Sequence, residues 1–228
     1  MTAQYIYPDW PAPEAVTALC TTRQVATDAL PAGFCPRLPP IKQVHGTVLV
    51  TAEQAAAATE PLAADAVLSR RAGLGCRIVT ADCLPILLSN LAGTEVAAVH
   101  AGWRGLAAGV IENCVVGMES AATQLMAWIG PAISQPAYEV GAEVREALLA
   151  GPSGPGSAGL DACFLPRGDK FLADLPALAR LRLQGLGVEQ VFGGDLCTWS
   201  DPASFHSFRR DGAAAGRIAS MIWFDQVG

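Results

Sequence analysis

The amino-acid sequence predicts an α+β fold, a single domain over residues 1–228 with mixed β-sheets and flanking helices. Short β-branched or alternating segments predict about eight or more strands, whereas only three or four segments have a helical period. Strands and helices do not follow each other in strict β-α-β order, which favours α+β over a regular parallel-sheet fold. Hydrophobic residues make up 51% of the chain and charged residues 16%, which is sufficient for a large core.

The first hundred residues are predicted to be mainly strands. Residues 1–40 contain seven prolines and show little periodicity apart from one short strand. An Ala-rich segment at 52–64 fits either a helical turn or a loop. The predicted strands cover residues 16–22, 47–51, 64–69, 76–80, 86–89 and 96–100, and a loop is predicted over 24–40.

The second half combines helices with strands. Apolar residues in 104–118 fall on one helical face that includes Cys114, which is therefore assigned to the core. The Gly- and Pro-rich segment 151–159 predicts a flexible loop, and 205–212 alternates toward a turn. Other helices are predicted over 138–150 and 174–184, strands over 125–129 and 188–192, and a closing strand or short helix over 218–224.

Composition and charge exclude several classes of function. The net charge is −6 without a cluster of Lys or Arg, which argues against nucleic acid as a partner. No apolar run approaches the roughly 20 residues that a membrane span needs. Seven cysteines without a C-x-x-C pair, and an N-terminus unlike a signal peptide, predict a cytoplasmic protein with reduced thiols.

Polar, reactive residues interrupt the apolar segment 78–105. Asp82 and Cys83 follow one predicted strand, and His100 ends another. Taken singly, a Cys or His in apolar surroundings is usually a core residue. A Cys and a His at neighbouring strand ends can instead face one cleft, as they do in metal sites and in Cys–His nucleophile pairs.

His45 is the third member of this candidate set. Two imidazoles and one thiolate, from His45, Cys83 and His100, match the three protein ligands of a catalytic zinc with an open fourth position. The long spacings between them are weak support on their own. Asp82 is predicted to orient a ligand or to act as a general base, or else to be a hydrogen-bonded turn residue.

Arginines near the same motifs are candidate anion contacts. Arg104 opens a predicted helix, so its guanidinium and the helix N-terminus can both meet an anion. Arg210, with Arg209, can do the same or can be a solvated pair at a strand end. Trp103 either stacks on an aromatic ligand or fills the core.

Six motifs follow one another in chain order. They are Lys-Gln-Val-His-Gly at 42–46, Thr-Ala-Asp-Cys-Leu-Pro at 80–85, Ala-Val-His-Ala-Gly-Trp-Arg-Gly at 98–105, Trp-Ile-Gly-Pro-Ala at 128–132, Tyr-Glu-Val-Gly at 138–141 and Phe-Arg-Arg-Asp-Gly at 208–212. With these motifs the sequence resembles the laccase-domain family, labelled multicopper polyphenol oxidase and, more recently, purine nucleoside phosphorylase. The resemblance implies an α+β fold similar to that of Cys–His toxin deamidases.

The resemblance implies phosphorolysis of purine nucleosides (adenosine, inosine, guanosine, methylthioadenosine) together with adenosine deamination. It implies Zn²⁺ on His45, Cys83 and His100, with copper possible at the same site. Arg104, Arg210, Gln43 and Arg23 are the expected contacts to nucleoside and phosphate. A monomer or small homo-oligomer is expected.

Two other functions remain open at this level. A copper-dependent phenol oxidase can use two His and one Cys, yet only His206 would be left for any further copper. A metal-free hydrolase or deamidase would use Cys83 as nucleophile and His100 as base, which leaves His45 without a role.

The chain departs from the family pattern after Thr21-Thr22-Arg23. The family continues with a longer polar segment, whereas this sequence passes through Gln24-Val25-Ala26 and soon reaches Lys42. All three expected metal ligands lie in the intact part. We therefore expect retained metal binding with a raised KM for nucleosides, because lost ground-state contacts raise KM more than they lower kcat.

Overall fold

A six-stranded mixed sheet lies at the centre of the molecule, with a second sheet on one face and helices on the other. The computed structural model describes residues 3–152 and 159–226. Its strands are β1 Tyr5–Ile6, β2 Val16–Thr21, β3 Ile41–Lys42, β4 Leu49–Thr51, β5 Leu62–Ala63, β6 Ala66–Ser69, β7 Cys76–Thr80, β8 Leu84–Asn90, β9 Val96–Ala101, β10 Leu125–Ile129, β11 Glu139–Val140, β12 Phe164–Arg167, β13 Lys170–Ala173, β14 Gln190–Gly193 and β15 Ile218–Phe224.

Six α-helices accompany the strands in the part of the chain that the structure describes. They are α1 Ala52–Ala57, α2 Trp103–Ala108, α3 Val110–Gly117, α4 Ala142–Leu149, α5 Leu175–Gly185 and α6 Phe208–Asp211. The prediction of a single α+β domain with mixed sheets and flanking helices is confirmed, while the similarity to the toxin deamidase fold stays a prediction.

The central sheet has the order β14-β10-β8-β9-β6-β4, with parallel pairs at its two edges and antiparallel pairs between them. Side chains alternate between its faces. Ile86 and Leu88 pack toward the helices, whereas Leu87 packs toward the second sheet. Burial on both faces explains why β8 and β9 are mostly apolar rather than alternating regularly with polar residues.

The second sheet is antiparallel, with the order β1-β2-β15-β7. Its inner face, which includes Cys76 and Ile78, packs on the central sheet. Its outer face carries Leu19 and Trp223 under part of the N-terminal loop region. A three-stranded sheet, β11-β13-β12, and a two-stranded sheet, β3-β5, complete the fold.

Most predicted elements are present, and three differ. The helix predicted over 104–118 is two helices, α2 and α3, because Gly109 between them has a φ of 96°. The alternating segment 205–212 contains helix α6, capped by the Ser207 side chain. Helix α4 begins at Ala142, after strand β11, rather than at 138.

The β12–β13 hairpin was not predicted. The flexible loop predicted at 151–159 lies mostly outside the described residues. Cys114 is fully buried, as predicted, and all seven cysteines are unpaired.

The connection from β7 to β8 crosses from the second sheet to the central sheet. Residues 81–83 make this crossing, and the neighbouring strand β9 ends with His100 and Ala101. Asp82 and Cys83 therefore reach the same edge of the two-sheet sandwich as His100. This edge is where the candidate site lies.

Candidate metal centre and cavity

A cavity of about 580 Å³ opens at this edge of the sandwich. Its wall combines the end of β7, the crossing segment, the end of β9 and parts of α2, α5 and α6. A volume of this size is ordinary for a small-molecule site. The lining residues are Ile41, Gln43, His45, Val79, Thr80, Ala81, Asp82, Cys83, His100, Trp103, Ile133, Tyr138, Leu175, Phe208, Arg209 and Arg217.

His45, Cys83 and His100 meet at the cavity wall. One ligand atom from each lies within 4.8 Å of the others. Cys83 Sγ is 3.8 Å from His45 Nε2, and tetrahedral zinc with its usual bond lengths would place such atoms about 3.6 Å apart. The donor set and its spacing therefore fit a three-ligand metal site that opens on the cavity.

His45 lies on a loop that is shaped by Asp65. The Asp65 carboxylate accepts hydrogen bonds from the backbone N–H groups of Val44, His45 and Gly46, at 3.2, 2.9 and 2.7 Å. His45 itself has a φ of 59°, in the left-handed region that His adopts more readily than most residues. The fully buried Asp65 thus holds the loop that presents the His45 ring.

Asp65 also orients the second histidine. Its Oδ1 is 2.8 Å from His100 Nδ1, which leaves Nε2 of His100 toward Cys83. Burial alone would lower the pKa of His100, but Asp65 and Cys83 raise it to about 9. Burial likewise opposes ionisation of Asp65, yet the bonds from His100, Gly46 and Val44 lower its pKa. A carboxylate behind a ligand histidine fixes the ring and raises its basicity.

The Cys83 thiol is activated by the same neighbours. Burial alone would raise its pKa, whereas the hydrogen bonds and charges of His100 and His45 lower it to about 6. Without a metal, the group is therefore a thiolate near neutral pH. A thiolate is both the metal-binding and the nucleophilic form of cysteine.

Two glycines of the Gly-Trp-Arg-Gly motif allow the close packing of the site. A Cβ atom on Gly102 would lie 3.1 Å from Cys83 Sγ and 3.1 Å from the His45 ring. A Cβ atom on Gly105 would lie 3.1 Å from the Gly46 carbonyl oxygen. The two glycines thus allow helix α2 to approach Cys83 and the His45 loop closely.

Named relatives and solved structures are similar to this chain over nearly its whole length. The family model for multi-copper polyphenol oxidoreductase laccase matches residues 14–225. This chain belongs to that family. The assignment confirms the laccase-domain resemblance found in the sequence motifs.

Several members of the laccase family are similar over nearly their full length. The protein named purine nucleoside phosphorylase YfiH of Shigella flexneri is 43% identical over 251 residues, covering 97% of this chain and 99% of that protein. Purine nucleoside phosphorylase PA4543 of Pseudomonas aeruginosa is 41% identical and covers 96% and 98%. The crystal structure of Neisseria meningitidis protein NMB0706 has a TM-score of 0.87 and 38% identity, covering 98% and 100%.

The Shigella comparison spans 251 residues, more than the 228 of this chain, so that relative has residues without a counterpart here. The predicted shortening after Arg23 agrees with this difference. No residue from 24–40 lines the cavity in the part of the chain that the structure describes; its wall begins at Ile41. The raised KM for nucleosides stays a prediction.

The laccase-domain chain uses Asp82 to hold a neighbouring segment. The Asp82 carboxylate accepts hydrogen bonds from Thr198 Oγ1 at 2.6 Å, Ser207 Oγ at 3.0 Å and the backbone N–H of Arg209 at 2.6 Å. Its own φ is 80°, at the crossing between the sheets. Asp82 lines the cavity, but its oxygens are directed into contacts that fix the 198–209 segment.

Gln43 and Arg23, both predicted to contact the substrate, form hydrogen bonds with backbone groups of the protein. The Gln43 side-chain amide bonds both ways with Val79, donating to its carbonyl at 2.8 Å and accepting from its N–H at 2.7 Å. Gln43 lines the cavity and fastens the ligand loop to β7. Arg23 donates to the Pro202 carbonyl at 2.6 Å and is not part of the cavity wall.

Arg210, one of the two predicted phosphate contacts, is used elsewhere. Its guanidinium bonds to the carbonyls of Thr198, Trp199 and Phe205 and to the Asp211 carboxylate, outside the cavity wall. Neighbouring Arg209 lines the cavity, with Arg217 as a second arginine, and the contact of Arg210 with phosphate stays a prediction. Arg104 is exposed, stacks on Trp103 at 4.5 Å and is also outside the wall.

Aromatic side chains form one wall of the cavity. Trp103 was predicted either to stack on an aromatic ligand or to fill the core. It lies partly buried in this wall, which also contains Tyr138 and the exposed Phe208. The Arg209 guanidinium lies 5.2 Å from the Tyr138 ring. Burial and the nearby Cys83 raise the pKa of Tyr138 to about 12, so its hydroxyl stays protonated. From the sequence, Arg209 is considered only together with Arg210 and Tyr138 only as part of a motif, so neither is assigned a place in the cavity wall.

No α-helix among the described residues is both long and apolar enough to cross a membrane.

Proposed function

We propose that this chain is a zinc-dependent purine nucleoside phosphorylase that also deaminates adenosine in the same cavity. The observation that carries the proposal is the His45–Cys83–His100 cluster, which opens on a cavity with aromatic and arginine walls. The names of the Shigella and Pseudomonas relatives support the reaction class. Purine nucleosides and inorganic phosphate are the proposed substrates. Small molecules rather than nucleic acid are in agreement with the net charge of −6 and with a sequence that has no cluster of Lys or Arg.

The three donors fit zinc by type, number and spacing. Asp65 behind His100 adds the support that ligand histidines usually have. When bound there, the metal would supply a Lewis acid for a phosphate oxygen or an activated water near neutral pH. Copper can occupy the same donor set because its intrinsic affinity exceeds that of zinc.

Phosphorolysis requires that the bond from ribose C1′ to purine N9 breaks while a bond from C1′ to a phosphate oxygen forms. The departing purine then takes up a proton on a ring nitrogen. Trp103 and Phe208 offer faces on which the purine can stack, and the Tyr138 hydroxyl can donate a hydrogen bond to it. Ile133 and Leu175 line the same wall and exclude water from the base.

Deamination of adenosine additionally needs a group that moves a proton at the purine. Asp82 is the proposed carboxylate, since it lines the cavity next to Cys83. Its three hydrogen bonds from the 198–209 segment hold it in place, and at least one of them would have to lengthen when Asp82 accepts a proton. The deaminase activity is therefore proposed as the slower of the two reactions.

The Cys83 thiolate gives one specific observation for a second function. A pKa of about 6 beside His100 is also the property of a nucleophilic cysteine in a metal-free hydrolase or deamidase. That reaction would not require His45, whose loop is nevertheless held by three hydrogen-bonded backbone groups. A multinuclear copper oxidase is disfavoured because the sequence has only one further histidine.

One purification and two assays test the proposal. Protein purified without added ions should contain about one zinc per chain and release free base from inosine only with phosphate. Cys83→Ala should lose both the metal and the activity while its circular dichroism stays native. Metal-free protein with full activity would favour the hydrolase, and stoichiometric zinc in Cys83→Ala would refute the ligand assignment.

A further inference from the structure

The cavity extends in two directions from the metal-binding cluster. Ile133, Tyr138 and Leu175 belong to the core between the central sheet and the helices. Thr80 lies instead on β7 of the second sheet, on the other side of the central sheet whose strands end near Cys83 and His100. The end of the cavity lined by Ile133, Tyr138 and Leu175 is apolar and aromatic. The other end is lined by Ile41, Gln43, Thr80 and Arg217, and we refer to it as the β7 end.

Thr80 has a hydroxyl without a partner. It is 2% exposed, and its Oγ1 makes no hydrogen bond to any described residue. Cys76 and Ile78, which share its face of β7, point into the layer between the sheets, so Thr80 points toward the same layer. An unpaired buried hydroxyl costs stability, unless a ligand supplies the missing bond. Rotation of χ1 redirects this hydroxyl without moving the strand.

Arg217 brings a cation to the same end. It immediately precedes Ile218, which pairs with Thr80 across β15 and β7. Among the described residues, Arg217 donates only from Nη1, to the carbonyls of Ala215 and Gly216, both at 2.9 Å. Nε and Nη2 therefore keep their N–H donors for a ligand.

Most of the charges that act on the neighbouring His206 are positive. His206 packs against Gly216, directly beside Arg217. Burial, and then the charges of Arg23, Arg210 and Arg217, lower the pKa of His206, with Asp211 acting in the opposite direction. Arg210 is paired with the Asp211 carboxylate, so Arg23 and Arg217 leave a net positive charge near this histidine, which attracts anions.

We propose that inorganic phosphate, the second substrate of the proposed phosphorolysis, binds at the β7 end between the Thr80 hydroxyl and the Arg217 guanidinium. This inference rests on the proposed function. The attacking oxygen and the leaving base of such a displacement lie on opposite sides of C1′. A purine against Trp103 and Tyr138 therefore leaves the β7 end for the phosphate. Arg104 and Arg210, the arginines indicated by the sequence, lie outside the cavity wall.

Kinetics with inosine and phosphate test the site in the metal-loaded enzyme. Arg217→Gln should raise the KM for phosphate about ten- to a hundredfold, the usual range for one charge-assisted hydrogen bond, and leave the KM for inosine nearly unchanged. Thr80→Val should raise the phosphate KM as well, and Thr80→Ser should restore it. Arg71→Gln, which removes the same charge from an exposed position far from the cavity, is the matched control.

Thermal melting separates this role from a structural one. Thr80→Val removes an unpaired hydroxyl, so its Tm without phosphate should equal the wild-type value or exceed it by up to about 4 °C. Inorganic phosphate should raise the Tm of the wild type above that in sodium chloride of equal ionic strength. The increase should be smaller in Thr80→Val and Arg217→Gln.

The melting data stand even when phosphorolysis fails. A wild type that releases no base from inosine refutes the proposed function, while a phosphate-dependent Tm increase that is lost in both variants still supports the site. No Tm increase in the wild type, or an equal increase in both variants, overturns the site. A raised KM for inosine in Thr80→Val, or a raised phosphate KM in Arg104→Gln but not in Arg217→Gln, overturns it as well.

Discussion

Two buried carboxylates beside the cavity have different tasks, although both are next to the candidate metal ligands. Asp65 is fully buried and accepts bonds from the His45 loop and from His100. Asp82 precedes Cys83 directly in the sequence, yet it bonds to Thr198, Ser207 and Arg209. Proximity along the chain is thus a poor guide to which carboxylate supports a metal, because hydrogen-bond donors from distant segments determine the role.

The largest difference should come from replacing Asp65. Asp65→Asn removes the negative charge that stabilises the proton on His100 Nδ1. It also places an amide N–H₂ group opposite backbone N–H groups of the His45 loop, where a donor faces a donor. We expect zinc affinity to fall about 10- to 100-fold, the usual effect of losing a carboxylate behind a ligand histidine. Competition with a chromophoric chelator measures it, and unchanged affinity would contradict the role of Asp65.

A smaller effect on a different property is expected for Asp82. Asp82→Asn should retain zinc but loosen the 198–209 segment, at a cost of about 1–3 kcal/mol in unfolding free energy for the weakened buried hydrogen bonds. Because Arg209 moves with that segment, the KM for nucleosides should rise. Urea unfolding and steady-state kinetics provide both numbers. Loss of zinc in this variant would remove the distinction between the two carboxylates.

Acid should act in part through Asp65 in the metal-free protein. The lowered pKa of Asp65 in the folded state contributes stability that is present above its unfolded pKa of about 3.9 and is lost as the pH falls through the folded pKa. Urea unfolding of metal-free protein between pH 7 and pH 3 should show this loss in the wild type and in Asp82→Asn. Asp65→Asn should lack the part of this loss that comes from protonation of Asp65. An identical dependence of stability on pH in all three proteins would argue against this contribution of Asp65.

The smallest expected effect is on the reactivity of Cys83. In metal-free protein its alkylation rate should have a midpoint near pH 6, since the pKa is lowered to about 6. Asp65→Asn should shift the midpoint upward, because His100 then loses the carboxylate that favours its positive charge. Asp82→Asn should leave the midpoint in place. Iodoacetamide labelling with Cys83→Ser as background measures the rates, and equal shifts in both variants would show that the carboxylates act alike.

Much of the fold was predictable because its strands are strongly apolar. Strands β8 and β9 are buried at every position, so their sequences stand out from the turn between them. The β12–β13 hairpin was missed because most of its first strand is exposed and carries no alternating apolar pattern. Gly109 was not recognised as a break since the apolar spacing continues through it, and only the backbone shows its positive φ.

The candidate site was predictable in part. Cys83, His100 and His45 lie in local motifs that indicate chemistry, whereas Asp65 lies in an ordinary strand start and acts through contacts 20 and 35 residues away in the chain. Arg209 and Arg210 could not be distinguished by sequence. They are consecutive in a helical turn, where neighbouring side chains point about 100° apart, so that one lines the cavity and the other bonds within the protein.

The left-handed conformations of His45 and Asp82 have a consequence for ligand affinity. Such conformations cost roughly 1–3 kcal/mol each for residues other than glycine. Here the cost is met during folding, through the bonds that fix both backbone segments. A ligand arriving at the cavity therefore finds its donors already arranged and spends little free energy on ordering them. The site is pre-organised, and its selectivity for one ion or substrate over another should come from shape and charge rather than from induced rearrangement.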